Sequence, residues 1–251
     1  MTKIIAYSLD YDGCGDIFSD QLLKDQYEGK QDKFFLPLRQ KLNQFLDDKA
    51  QEAKEVELYV GSNRQSQELD EGNALKHKNG SCFTNFQKLC RDKTQAGKIW
   101  RFRPLLLGEW DASKIAILKN QLLDIEHNHP KDEVDFYFFD DDANQEILPG
   151  LKTYFEKEEN AKLISKNIHL HFVKFDWFGE IVEGNKTLSE VAHIQGMKEP
   201  IDIAQPVTKR PLLHSSVYKS GPTLFKSAAN SLPATTPDLL PYDPIAFRFC
   251  F

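Results

Sequence analysis

Ile4-Ile5-Ala6-Tyr7-Ser8-Leu9-Asp10-Tyr11-Asp12-Gly13 is an apolar run that stops at two carboxylates flanking one residue. β-branched and aromatic residues favour a strand, and Asp followed by Gly favours the turn that ends it. Both acids then fall at the carboxyl end of a first strand, where open α/β sheets hold their ligands. Taken alone the pair reads as a turn closing a strand. What surrounds it gives it a second meaning.

Working outward, the chain alternates strand and helix patterns. Helices are expected near Ser19 to Lys24 and, from the spacing of Phe35, Leu38, Leu42, Phe45 and Leu46, over the following stretch. Val56 to Val60 reads as a second strand that ends in Gly61-Ser62. Residues 63 to 98 are polar, with one short helix expected around Thr84 to Cys90. Trp100 to Arg103 alternates at strand period and runs through Leu105-Leu106-Leu107 to Gly108, a third strand. Asp111 is placed to cap a helix with Ile115, Leu118, Leu122 and Ile125 on one face, which puts Lys114 in its first turn. Val134 to Phe139 reads as a fully buried strand ending in Asp140-Asp141-Asp142; a helix over Ile147 to Phe155 and a fifth strand at Ile168 to Val173 follow. Alternation of this kind implies parallel βαβ units. The expected fold is α/β, a three-layer doubly wound, Rossmann-like, mostly parallel sheet.

Composition narrows the function classes. The 251 residues are 40% hydrophobic and 28% charged with a net charge of −6, which suits a globular chain and gives no basic field for nucleic acid. Cys14, Cys82, Cys90 and Cys250 form no CxxC pair and no zinc spacing with the histidines. The first strand starts within a few residues of the N-terminus and no apolar run reaches about 18 residues, so neither a signal peptide nor a membrane span is expected. The expected location is cytoplasmic, or secreted by a route that uses no N-terminal signal. Eight of the twelve prolines lie between Pro200 and Pro244. The chain is therefore divided into a core over 1–178 and a Pro-rich extension over 179–251, wrapping or following it.

Collected in order, the strand-end groups are Asp10 and Asp12, Ser62, Lys114 from a helix start, and Asp140 to Asp142. In that order they resemble the haloacid dehalogenase-like (HAD) phosphatase superfamily. Its motifs are a strand ending in DxD, a strand ending in Ser or Thr, a Lys, and a strand ending in acids; the match covers about residues 3 to 175.

The resemblance implies a magnesium-dependent phosphomonoesterase. Asp10 is the implied nucleophile, forming an aspartyl-phosphate, and Asp12 the general acid and base. Ser62, with Asn63 and Gly13 beside the turns, is implied to bind the phosphoryl oxygens, and Lys114 to neutralise them. Mg2+ is assigned to Asp10, Asp12 (through its backbone carbonyl), Asp141 and Asp140, with Asp141 favoured as direct ligand; three consecutive acids leave that register open. Lys119, one turn on, is the rival for Lys114. The family commonly has Thr or Val where this chain has Cys14, which is read as a packing residue. A cysteine-phosphatase loop would need Arg six residues after the cysteine, where Asp20 and Lys88 stand.

The histidine pairs His127/His129 and His169/His171 are read as structural. A response-regulator receiver gathers similar groups but takes its Lys after the last acid; here Lys114 precedes Asp140. The intervals between motifs are filled by helices and the third strand and leave no room for a large cap. Capless members of the superfamily, including phosphatases that bacteria deliver into host cells, act on proteins. The implied partner is thus a phosphorylated protein or peptide, preferentially phosphotyrosine, and no nucleic acid. A small-molecule phosphatase and an inert binding module on the same scaffold are the alternatives.

Overall fold

The computed structural model describes residues 2–27, 35–95, 99–183 and 188–199. The opening stretch forms β1 (Lys3–Leu9), which lies between β2 (Glu55–Val60) and β4 (Glu133–Asp140). With β3 (Ile99–Arg103), β5 (Ile168–Lys174) and β6 (Ser189–Gln195) they make a six-stranded sheet in the order β3-β2-β1-β4-β5-β6. All neighbours are parallel except β5 and β6. The fold is α/β with a mostly parallel sheet, as the strand and helix alternation implies.

Side chains alternate across a strand, so β1 feeds two cores. Ile5, Tyr7 and Leu9 pack with Leu38, Leu42 and Leu46 of α2 (Leu36–Ala50) and with Cys82, Phe86 and Leu89 of α4 (Cys82–Gln95); α1 (Asp20–Tyr27) adds Leu22 and Leu23. Ile4 and Ala6 join Leu118, Leu122 and Ile125 of α5 (Ile115–Asn128) and Leu148, Leu151 and Phe155 of α6 (Ile147–Phe155). β4 is buried at six of its eight positions because it is flanked on both sides and covered on both faces.

Several boundaries differ from the sequence reading. Residues 63–98 contain two helices, α3 (Gln67–His77) and α4, in place of one short one. The Ser66 hydroxyl caps α3 by accepting the Leu69 amide at 3.1 Å, and only Asp70 of that helix is fully buried, so there is no apolar stripe to read. β3 ends at Arg103, before Pro104, and Leu105–Leu107 run on as half-buried loop. Helix α5 begins at Ile115, so Lys114 precedes the first turn, in left-handed conformation with φ 57°. Asp111 still serves the helix start, its carboxylate accepting the amides of Ala116 at 2.7 Å and Ile117 at 3.3 Å.

The sheet also continues past residue 178, where the composition had suggested that the core ends. α8 (Trp177–Glu183) and β6 follow β5, and Trp177 packs in the first core. A short α7 (Glu158–Ala161) precedes β5. The Pro-rich part of the extension, 200–251, lies outside the described residues. Among the described residues no helix is long and apolar enough to cross a membrane.

Candidate functional site

β1 delivers Asp10 to the carboxyl edge of the sheet, and the neighbouring strands hold it there. The Asp10 amide donates to the Phe139 carbonyl at 2.9 Å and the Gly61 amide to the Leu9 carbonyl at 2.8 Å. The chain then turns back, with the Gly15 amide donating to the Asp10 carbonyl at 3.0 Å and the Asp16 amide to that of Tyr11 at 2.8 Å, into the short 3-10 helix Gly15–Phe18. Gly13 sits at φ 79°, and a Cβ there would come within 2.5 Å of the Asp141 Oδ2. Glycine at this position lets the first and fourth strand ends close on each other.

Lys114 is the cation that meets Asp10 and Asp140. Its ammonium lies 2.9 Å from Asp10 Oδ1 and 2.5 Å from Asp140 Oδ2, and all three side chains are nearly fully buried. Burial works against the lysine's charge, but Asp10 and Asp140 outweigh it and hold its pKa above the ordinary value. Lys119 lies a turn further along α5. Carboxylate oxygens of Asp10, Asp140 and Asp141 all lie within 4.8 Å of one another, a group that could hold a metal ion. Burial pushes Asp10 up to about 6, with Lys114 opposing and Asp140 adding to the rise; burial, then Asp140 and Asp10, raise Asp141 well above its ordinary value.

Three crowded acids with one lysine leave an excess of negative charge. Hard oxygen donors in that state suit a hard divalent cation. Asp142 takes another job: its Oδ1 accepts the amides of Ile147 at 2.9 Å and Leu148 at 3.2 Å, at the start of α6. The acidic triplet thus divides into two residues grouped with Asp10 and one that serves the start of α6.

Asp12 faces a different partner. Arg64, with 1% of its side chain exposed, donates from Nε to Asp12 Oδ2 at 3.1 Å and from Nη2 to Oδ1 at 2.5 Å. Asn79 adds a third bond, Nδ2 to Oδ1 at 2.9 Å. Burial would raise the Asp12 pKa; Arg64 and Asn79 more than offset it and hold it below the usual carboxylate range. The Asp12 carboxylate is not a member of the Asp10, Asp140, Asp141 group.

Arg64 is itself fixed. It reaches Asp70 Oδ1 at 3.1 Å, the Gly80 carbonyl at 3.0 Å and Asn79 Oδ1 at 2.8 Å, and it stacks 4.4 Å from the Tyr11 ring centroid. Neither Arg64 nor Asn79, Asp70 or Asp16 was legible as part of a site. The available signal was a charged residue two places after Ser62 in an otherwise polar turn, which a solvated loop would also show.

Ser62 is buried just beyond β2, its hydroxyl 3.4 Å from the Arg64 amide and its carbonyl accepting Gln65 Nε2 at 2.6 Å. Asn63 is turned to the loop before α5, where its Oδ1 accepts the Asp111 amide at 3.0 Å. Cys14 is buried, and burial raises its thiol pKa well above the ordinary value, which suits packing. His129 Nε2 lies 3.1 Å from Glu57 Oε1 and His171 Nδ1 2.9 Å from Glu190 Oε1. Glu55, Glu57 and His129 form a second group with metal-ligand spacing. There, however, Arg101 pairs with Glu55, while Tyr59 and Arg103 engage Glu57.

No model of a known family matches the chain, and no curated protein or solved structure matches it.

Proposed function

We propose that the chain is a magnesium-dependent phosphomonoesterase of HAD-like architecture, a three-layer doubly wound sheet with Asp10 as nucleophile. The observation that carries the reading is Lys114 bridging Asp10 and Asp140, with Asp141 beside them, at the carboxyl edge of a mostly parallel sheet. The two apolar clusters on opposite faces of β1 support the layered arrangement.

Phosphoryl transfer needs an in-line nucleophile and charge neutralisation more than covalent machinery. An Asp10 oxygen attacks phosphorus as the P–O ester bond breaks. The leaving oxygen departs as phenolate or alkoxide and takes a proton from Asp12 when that carboxyl is protonated, or otherwise from water. Water then cleaves the aspartyl-phosphate to inorganic phosphate. Lys114 orients the Asp10 carboxylate and offsets charge on the phosphoryl oxygens, and the Ser62 hydroxyl donates to one of them. Mg2+ held by Asp10, Asp140 and Asp141 would supply further charge neutralisation.

Asp12 accepts three hydrogen bonds, a state that suits a base taking a proton from the attacking water. Donating to the leaving oxygen requires it to arrive protonated. A phenolic leaving group needs that proton least, which favours phosphotyrosine over alkyl esters. α1, α2, α3, α4 and β3 take up the described intervals between motifs, which favours a substrate presented on a protein.

The test is turnover of p-nitrophenyl phosphate by the full chain with magnesium. Activity that EDTA and Asp10→Asn each remove is expected; no turnover with any divalent metal would favour an inert binding module. Faster turnover of sugar phosphates than of phosphotyrosine peptides would retain the chemistry and reassign the substrate.

A further inference from the structure

The loop between β3 and α5, residues 104–114, carries Lys114 at its end and an exposed aromatic near its middle. Trp110 is 61% exposed, whereas Trp100 and Trp177, the other tryptophans, are buried. The loop is pinned on both sides of Trp110 to the turn that carries Ser62. On one side the Leu107 amide donates to Gln65 Oε1 at 3.0 Å and the Gly108 amide to the Gln65 carbonyl at 2.9 Å. On the other the Asp111 amide donates to Asn63 Oδ1 at 3.0 Å, and the Asp111 carboxylate ties the chain to α5. Glu109 and Trp110 are the two residues between these anchors.

The anchors hold the backbone on either side of Trp110 against the turn that carries Ser62. Asp111, the next residue, is bonded to Asn63, which adjoins Ser62. Lys114, whose ammonium contacts Asp10, is four Cα steps away, at most about 15 Å. A phosphoryl group seated at Asp10 projects the rest of its ester outward from the sheet edge, past this rim. An exposed indole carried on that rim is the kind of group that stacks on a planar aromatic substituent and gives little to a short alkyl one.

We propose that Trp110 is the specificity-determining residue of the site, stacking on the phenyl ring of an aryl phosphate such as phosphotyrosine, with Asn63 as the residue that positions it. The inference rests on the phosphatase reading above and deepens it, from a preference set by the leaving group to a contact with the ring. Asn63, expected to touch phosphate, has its Oδ1 on the Asp111 amide and so also ties the loop.

Steady-state kinetics of the full chain with magnesium test it, comparing a phosphotyrosine peptide with glycerol phosphate. Trp110→Ala is expected to lower the ratio of kcat/KM for the aryl over the alkyl ester about three- to tenfold, mainly through KM, and Trp110→Phe to restore it. Trp110 is also the exposed indole, so phenylphosphonate with magnesium should change the fluorescence of the native chain saturably. Trp110→Phe should lose that response, and inorganic phosphate should not produce it. An unchanged ratio in Trp110→Ala, or an equal fluorescence response in Trp110→Phe, would overturn the inference while native turnover left the phosphatase reading standing. A native chain that hydrolyses no monoester would overturn both.

Discussion

Replacing Arg64 with methionine removes the charge and the donor fork but keeps an unbranched side chain of similar reach. In the native structure all five guanidinium N–H donors are matched: two on Asp12, two on Asn79 Oδ1 and Asp70 Oδ1, one on the Gly80 carbonyl. The two acids contribute unequally to the cost. Asp12 has 39% of its side chain exposed, so water takes over its lost bonds and that limb is worth about 1 kcal/mol or less. Asp70 has 3% exposed and retains the Ser81 hydroxyl at 2.6 Å and the Cys82 amide at 2.8 Å, but its charge is left buried without a cation. Breaking a buried pair from one side costs about 3–5 kcal/mol, and the retained bonds place this case near the lower end. Arg64→Met should therefore lower the unfolding free energy by about 3 kcal/mol in urea titration. Adding Asp70→Asn should recover about 1 kcal/mol or more, since the two sites are coupled. A loss below about 1 kcal/mol for Arg64→Met, the size of an exposed pair, would refute the reasoning.

Two further perturbations follow from the same geometry. Gly13→Ala places a methyl against Asp141 Oδ2 at a φ of 79°; Asp141 can swing away, so stability should fall by only about 1–2 kcal/mol while the magnesium concentration for half-maximal activity rises at least tenfold. Unchanged magnesium dependence would contradict the placement of Asp141. Asp16 is buried, and burial with nearby Asp12 pushes its pKa up to about 7 against the opposing donors Trp177 and Asn79. A folded-state pKa above the unfolded value means that stability present below about pH 4 is lost as pH rises through 7, at up to about 1.4 kcal/mol per unit from this group. Asp16→Asn should thus gain in melting temperature on the native chain between pH 5 and pH 8, and a pH-independent gap would count against it.

The sheet edge was legible because its signals are local. β1 and β4 are apolar runs cut off by acids, so both their type and the side on which their carboxylates gather follow from the residues. α3 was not legible, because a helix with only Asp70 fully buried carries no stripe. β6 was missed for the same reason at strand period: Ile194 is its one fully buried residue, as suits an edge strand. The α5 boundary moved because Asp111 bonds helical amides from outside the helix, with Lys114 at positive φ between them. Arg64 and Asn79 escaped because their partners lie 52 and 67 residues away at Asp12, and nothing in a polar turn encodes such a pairing.

The central claim is that Asp10 attacks phosphorus. Acid quenching of the full chain during turnover of a radiolabelled phosphotyrosine peptide with magnesium measures it directly. The expected result is label on the peptide containing Asp10, released by hydroxylamine as an acyl phosphate is, and absent from a folded Asp10→Asn variant. Turnover that continues in Asp10→Asn, or label on any other residue, would contradict it.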